Sequence, residues 1–333
     1  MNNIIHHPYV CFFPTRTVFI DDKEEFLDSI ALQLNYRLQS YRFFSNVNTA
    51  IDFIFSNYPK SEWFSQYIKP IEEEEAEHKI IELDIHALHH QIYDANRFDI
   101  ITSVIVDYDM PEKNGLALAQ EICELKLYKI LFTGAADERL AVDAFNEHLI
   151  DAFILKHHRT VHSSLKQLIE KSAHTYFKNL SEIFLNSANK NYYPRFFKEQ
   201  AFIDLFNSVL HKNEIIEYYM IEMSGSFLML NIEGRIDLFF LSSEKSINAM
   251  CQLAVDEGLP EKILNALYNR QKMLCFYDLD NKTFSIQKDW QDYIEDTTPI
   301  ILGTETYYFA YKKNVTSNIN LKPFKEYMLT ASC

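Results

Sequence analysis

Five short apolar runs, each followed by an amphipathic helical stretch, fill the first half of this chain and restrict the fold it can adopt. The runs are TVFI (17–20), YRFFS (41–45), VIVD (104–107), YKILFTG (128–134) and DAFILK (151–156). Helical patterns follow at 23–36, 46–58, 115–125 and 136–149, with a long one from Thr160. Strands that are apolar almost throughout are buried on both faces, so they need helices above and below them. Strict alternation therefore predicts an α/β fold, a five-stranded doubly wound parallel sheet whose right-handed crossovers spread the helices over both faces. Ligands of such sheets gather beyond the carboxyl ends of the strands.

The second half has a different rhythm. Residues 195–212 read as a helix, and 217–243 as strands that turn at Ser224-Gly225 and Glu233-Gly234. Helices are expected at 243–257 and 260–270, broken by Gly258 and Pro260, with further strands at 273–279 and 305–313. The expected organisation is an N-terminal extension (1–15), an α/β domain (16–159), a linker helix (160–189) and an α+β output domain (190–333). Residues 59–97 interrupt the first domain. Pro70 and the acidic run Glu72 to Glu75 suit a helix start, so the insert reads as a helical excursion. Along the linker helix, Ile169, Ala173, Tyr176, Leu180 and Ile183 alternate spacings of four and three. Such a stripe either pairs two helices in a dimer or packs on the chain's own domains.

Composition narrows the function. Hydrophobic residues form 47% of the 333, enough for two full cores. The net charge is −15, and from residue 190 onward 15 Lys and Arg face 19 Asp and Glu, a net of −4. Nucleic acid is therefore a disfavoured partner. The five cysteines (Cys11, Cys123, Cys251, Cys275, Cys333) include no CxxC pair, so a zinc knuckle or disulfide framework is not expected. No basic region precedes an apolar core at the N-terminus, and no apolar run is long enough for a bilayer. A cytoplasmic protein without membrane contact is expected. His86, His89 and His90 fall at helical spacing and read as an exposed polar face rather than a metal site.

The chemistry gathers where the strands end. The first strand runs into Asp21-Asp22, the third ends at Asp107, the fourth at Thr133-Gly134, and the fifth at Lys156. Three clustered carboxylates repel one another and call for a hard divalent cation, for which Mg²⁺ with its oxygen ligands is suited. A lysine and a hydroxyl beside them can grip a phosphoryl group, whose transfer depends on positioning and charge neutralisation.

On the acidic pair Asp21-Asp22, Asp107 with its DMP…NG continuation, Thr133 and Lys156, residues from about 15 to 160 resemble the receiver domain of two-component response regulators. The resemblance implies a flavodoxin-like sheet with Asp107 as phospho-acceptor, assisted by Lys156 and Thr133. It implies Mg²⁺ held by Asp21, Asp22, Asp107 and the backbone carbonyl of Asp109. Thr133 and Phe153 would form the switch, Pro111 would shape the loop, and Gly115 would let the next helix begin. A sensor histidine kinase would be the partner, and phosphorylation would favour a homodimer. His157 departs from the family, which has a cis proline there, and so does the long insert.

Residues 224–240 look similar to output modules of uncharacterised response regulators, which implies action on a protein partner without DNA binding. The overall layout also resembles the response regulator of α-hydroxyketone quorum-sensing circuits. No enzyme activity is expected beyond receiver phosphotransfer and autodephosphorylation. Two alternatives stay open: an output domain that is an enzyme or nucleotide-binding module, and a pseudo-receiver that works without phosphorylation.

Overall fold

Apolar runs joined by helices become parallel strands, because each helix carries the chain back to the edge where it started. The computed structural model, which describes residues 8–34, 39–58, 64, 66–71, 80–84, 88–134, 137–187, 195–277, 290–316 and 320–331, shows this throughout the first half. A short strand β1 (Cys11–Phe12) precedes β2 (Thr15–Ile20), α1 (Glu24–Ala31), β3 (Gln39–Phe44) and α2 (Val47–Asn57). The pair β4 (Ile68–Ile71) and β5 (Ile80–Leu83) comes next, followed by β6 (Ile101–Asp107), α3 (Gly115–Glu121) and β7 (Tyr128–Thr133). Then come α4 (Glu138–Asn146), β8 (Ala152–Leu155) and the long α5 (Val161–Ser187).

The order β3-β2-β6-β7-β8 makes one five-stranded sheet in which every neighbouring pair is parallel. Every residue of β2, β6 and β7 is buried. One face carries Val18, Val104, Val106 and Leu131 against Ala50 and Ile54 of α2, Leu118 of α3 and Ala141 of α4. The other carries Phe19, Ile105, Ile130 and Phe132 against Leu27 and Ile30 of α1 and Leu165 and Ile169 of α5. Each fully buried aliphatic or aromatic side chain stabilises this sandwich by about 1.5–3 kcal/mol. The sheet is doubly wound, as expected, and the chain reverses direction of travel between β2 and β6.

The second half adds α6 (Gln200–Lys212), β9 (Ile215–Glu222), β10 (Ser226–Asn231), β11 (Ile236–Ser243), α7 (Glu244–Asp256) and α8 (Glu261–Tyr268). It continues with β12 (Lys272–Leu274), β13 (Ile294–Asp296), β14 (Thr298–Leu302), β15 (Glu305–Lys312) and α9 (Phe324–Ala331). Six strands, β1-β9-β10-β11-β15-β14, form an antiparallel sheet, and β12 pairs with β13. Phe202 and Phe206 from α6 sit among Phe197, Tyr218, Phe227 and Phe239, with Phe206 and Phe227 ring centroids 4.8 Å apart. This is the α+β module expected after the linker helix.

Asp237 is fully buried in β11 and completely engaged. Arg235 donates from Nε and from its terminal nitrogen, Tyr311 donates its hydroxyl at 2.8 Å, and the Asn314 amide donates at 2.9 Å. Removing a charged partner from such a group costs about 1.5–3 kcal/mol. Arg235→Ala is therefore expected to lower the unfolding free energy of the output half by that amount, read as a lower urea midpoint, whereas Arg235→Lys should recover part of it. A midpoint unchanged in the alanine variant would refute this role.

Contacts divide the chain into two units, Met1–Phe12 with Tyr67–Ala95 and Ser181–Glu326, and Phe13–Gln66 with Asn96–Leu180 and Tyr327–Cys333. The segment read as a 1–15 extension thus supplies β1, which pairs with β9 through Cys11 and Tyr219. The described residues of the 59–97 insert do not form one helical excursion: Leu88 is helical, and the acidic run Glu72 to Glu75 lies outside the described residues. Within its described residues the insert contains the antiparallel pair β4–β5 and 3-10 turns at His89–Tyr93 and Arg97–Asp99. Isoleucine-rich stretches favour extended backbone there, and Pro70 stands within β4 instead of opening a helix. His86 lies outside the described residues. His89 is buried, with its ring 4.5 Å from His90 and 5.5 Å from Tyr277, which corrects the exposed-face reading. In the linker stripe, Ile169, Ala173 and Leu180 are buried within the single chain and Tyr176 is half-buried. Packing on the chain itself already uses those three, and the Ile183 side chain lies outside the description.

Candidate functional site

The parallel register brings four strand ends level. Ile20 is beside Val106, Asp107 beside Phe132, and Thr133 beside Leu155. The residues that follow β2 and β8, together with the last residues of β6 and β7, therefore meet at one edge where the strand order reverses. Asp21, Asp22 and Asp107 each offer a carboxylate oxygen within 4.8 Å of the others. The Lys156 ammonium bridges two of them, 2.7 Å from Asp21 Oδ2 and 2.9 Å from Asp107 Oδ2.

Each carboxylate has a distinct environment. The second Asp21 oxygen accepts the Lys23 amide at 3.0 Å and so turns the chain into α1. The Asp107 carboxylate receives a backbone hydrogen bond from Asp109, whose side chain is exposed. Asp22 Oδ1 is buried without a hydrogen-bond partner among the described residues. Three ionised carboxylates and one ammonium leave a formal charge of −2 at the cluster. An orphaned hard oxygen and a double negative excess fit a divalent cation with oxygen ligands.

Burial raises the Asp107 pKa above the ordinary carboxylate range, and Asp21 adds to the rise, while Lys156 and the Asp109 backbone pull against it. A folded carboxyl that holds its proton more tightly than the unfolded chain loses stability as pH rises past the unfolded value, about 4. In metal-free buffer, Asp107→Asn is expected to melt higher than wild type at pH 7. The gap should narrow as pH falls towards about 4. Melting curves with a chelator present check this, and a gap that widens on acidification would contradict it.

The two residues expected to form the switch lie on neighbouring strands, Thr133 at the end of β7 and Phe153 within β8. Thr133 is buried and donates its hydroxyl to the Gly134 carbonyl at 3.3 Å, while its own carbonyl accepts the Lys156 amide at 2.9 Å. Phe153 in β8 is half-buried against the core on the α2 and α4 face. No described peptide bond is cis, so Lys156 and His157 join through a trans bond. That is the form a non-prolyl residue strongly prefers.

Gly115 has a larger part than the expected helix start. A Cβ there would lie 2.4 Å from the Asp107 carbonyl oxygen and 2.8 Å from Leu131 Cδ1. The glycine lets α3 approach the Asp107 backbone, and its amide donates to the Tyr108 carbonyl at 3.0 Å. Asn114 caps the helix, accepting from the Ala117 amide at 2.8 Å. Phe26 was also absent from the residues singled out in sequence. Its ring centroid lies 4.6 Å from the Lys156 ammonium. The available signal was an aromatic one helical turn after the acidic pair.

No family model matches the chain, and no curated protein matches it either. Among solved structures, the Legionella pneumophila response regulator LqsR is similar over nearly the whole length. The TM-score is 0.75 with 28% sequence identity, covering 96% of this chain and 95% of that chain.

The chain is a response regulator with an atypical output domain. A receiver domain protein from Clostridium thermocellum also matches the regulator, at 15% identity over 51% of this chain and 98% of that chain, with a TM-score of 0.32. A CheY-like receiver domain protein from Methanospirillum hungatei matches at 16% identity over 50% of this chain and 98% of that chain, with a TM-score of 0.32. No described helix of the regulator is long and apolar enough to cross a membrane.

Proposed function

We propose that the regulator is switched by phosphorylation of Asp107, with a histidine kinase as donor and Mg²⁺ as cofactor. The observation that carries this reading is the carboxylate trio with its single bridging ammonium and formal charge of −2. Asp21, Asp22, Asp107 and the Asp109 carbonyl would hold the ion, which when bound neutralises the carboxylates and the incoming phosphoryl oxygens.

The protein's own groups then carry the transfer. An Asp107 oxygen forms a bond to phosphorus while the P–N bond of the kinase phosphohistidine breaks. The electron pair stays on the ring nitrogen, which takes up a proton. Lys156 moves from its carboxylate partners to a phosphoryl oxygen. The Thr133 hydroxyl, which donates only a long bond to Gly134, is free to turn towards the new group. The acyl phosphate adds about −2 charge and three acceptor oxygens, enough to bias a two-state element. Phe153 would follow Thr133 inward.

The proposed readout is a homodimer through the α4 face, where Leu140, Val142 and Phe145 are exposed. The output domain (190–333), reached through the 160–189 helix, would then act on a protein partner and not on DNA, in keeping with its net charge of −4. Asp237 is held by Arg235, Tyr311 and Asn314, in keeping with a role in the frame of the module. The overall layout, which resembles the response regulator of α-hydroxyketone quorum-sensing circuits, leads us to place the regulator in such a circuit. Light scattering with Mg²⁺ and beryllofluoride, a phosphoryl mimic, is expected to show the mass doubling. An unchanged mass would refute phosphorylation-linked dimerisation.

A further inference from the structure

The Lys156 ammonium has aromatic as well as acidic neighbours. It lies 4.6 Å from the Phe26 ring centroid and 6.0 Å from that of Phe132, and the two rings are 5.5 Å apart. Phe26 stands in the first turn of α1, four residues after Asp22. It is half-buried against the core on the α1 and α5 face. Phe26 also lines an open depression beside Asp22, shared with Lys23, Glu24, Glu25 and Ser45. It is the apolar member of that otherwise polar wall.

An ammonium on a four-carbon stem is strongly hydrated and mobile, so two carboxylates alone leave it room to turn towards water. A ring face attracts the cation through its quadrupole and offers water no hydrogen bond. We propose that Phe26 is a positioning residue, whose ring holds the Lys156 ammonium at the Asp107 carboxylate where a phosphoryl oxygen will arrive. The kinetic consequence rests on the phosphoryl-transfer reading above, whereas the contact itself does not.

The test uses the full chain with acetyl phosphate as donor. Asp107 gains a P–O bond, the P–O bond to the acetyl group breaks, and the electron pair leaves on acetate. Phe26→Leu keeps apolar bulk, so its melting temperature is expected to stay near wild type while its maximal labelling rate falls about two- to fivefold. Phe26→Tyr retains the ring and is expected to label at close to the wild-type rate. In a Lys156→Ala background, Phe26→Leu should cause no further loss, because the route of its effect is gone.

A second readout needs neither metal nor phosphate. The ring current of Phe26 should shift the Lys156 ε-methylene proton signals upfield in wild type and in the tyrosine variant. In Phe26→Leu the signals should return towards their unshifted position. Unshifted signals in wild type, a leucine variant labelled at the wild-type rate, or an equal further loss in the Lys156→Ala background would each overturn the proposal. Shifted signals without any labelling of wild type would instead overturn the phosphoryl-transfer reading, and the kinetic role with it.

Discussion

Asp107→Asn is expected to reduce Mg²⁺-dependent labelling by acetyl phosphate to background. The substitution preserves shape and volume at a buried strand end, so the sheet should remain intact. What it removes is the negatively charged oxygen that bonds to phosphorus, and an amide offers no equivalent nucleophile. Lys156→Ala should keep the nucleophile but lose charge stabilisation, slowing labelling by roughly 10²-fold, the scale of one lost electrostatic donor. Mass spectrometry of the intact chain after timed incubation reads both effects. Labelling of the Asn variant at the wild-type rate would show that the phosphoryl group goes elsewhere. A wild-type chain that stays unlabelled at saturating Mg²⁺ would favour a receiver that works through protein contacts alone.

The second large effect is expected at Gly115. Replacing a helical glycine by alanine ordinarily stabilises by about 0.5–1 kcal/mol, through the lower entropy of the unfolded chain. Here the new methyl carbon would meet the Asp107 carbonyl oxygen at 2.4 Å and Leu131 Cδ1 at 2.8 Å. Leu131 can rotate, but the carbonyl belongs to the backbone of β6, where Asp107 is paired with Phe132 of β7. Gly115→Ala is therefore expected to destabilise the receiver by about 1–3 kcal/mol, the cost of overpacking. It should also slow Asp107 labelling, because relief requires the phospho-acceptor strand end or the start of α3 to move. Thermal melts and labelling rates check the two halves. A stabilised alanine variant, the ordinary helical outcome, would show that the close approach does not constrain the site.

Much of the receiver was legible from residues alone, for a physical reason. Parallel strands buried on both faces must be apolar runs, and helical crossovers must separate them, so class and topology are written in local pattern. Charged groups are costly inside such runs unless paired, as Arg16 is with Asp99, and Asp21, Asp107 and Lys156 fall at the strand ends, where the site forms. The output module was legible only as helices and a meander. Its edge strand β1 is two residues long and joins a strand more than 200 positions away, at Tyr219, leaving no local trace.

Contacts made across the fold decided the rest. Among the described residues, the β4–β5 pair stands where Pro70 was expected to open a helix. In the linker stripe, Ile169, Ala173 and Leu180 are buried within one chain. Sequence by itself determined which residues reach the carboxyl edge of the parallel sheet, since strand period and strand end are local properties. Only tertiary structure decided how close they come. The bridging of Asp21 and Asp107 by Lys156, the orphaned Asp22 oxygen, the ring of Phe26 and the clash barred by Gly115 all depend on distances between separate elements. Packing sets those distances, and no spacing along the chain encodes them.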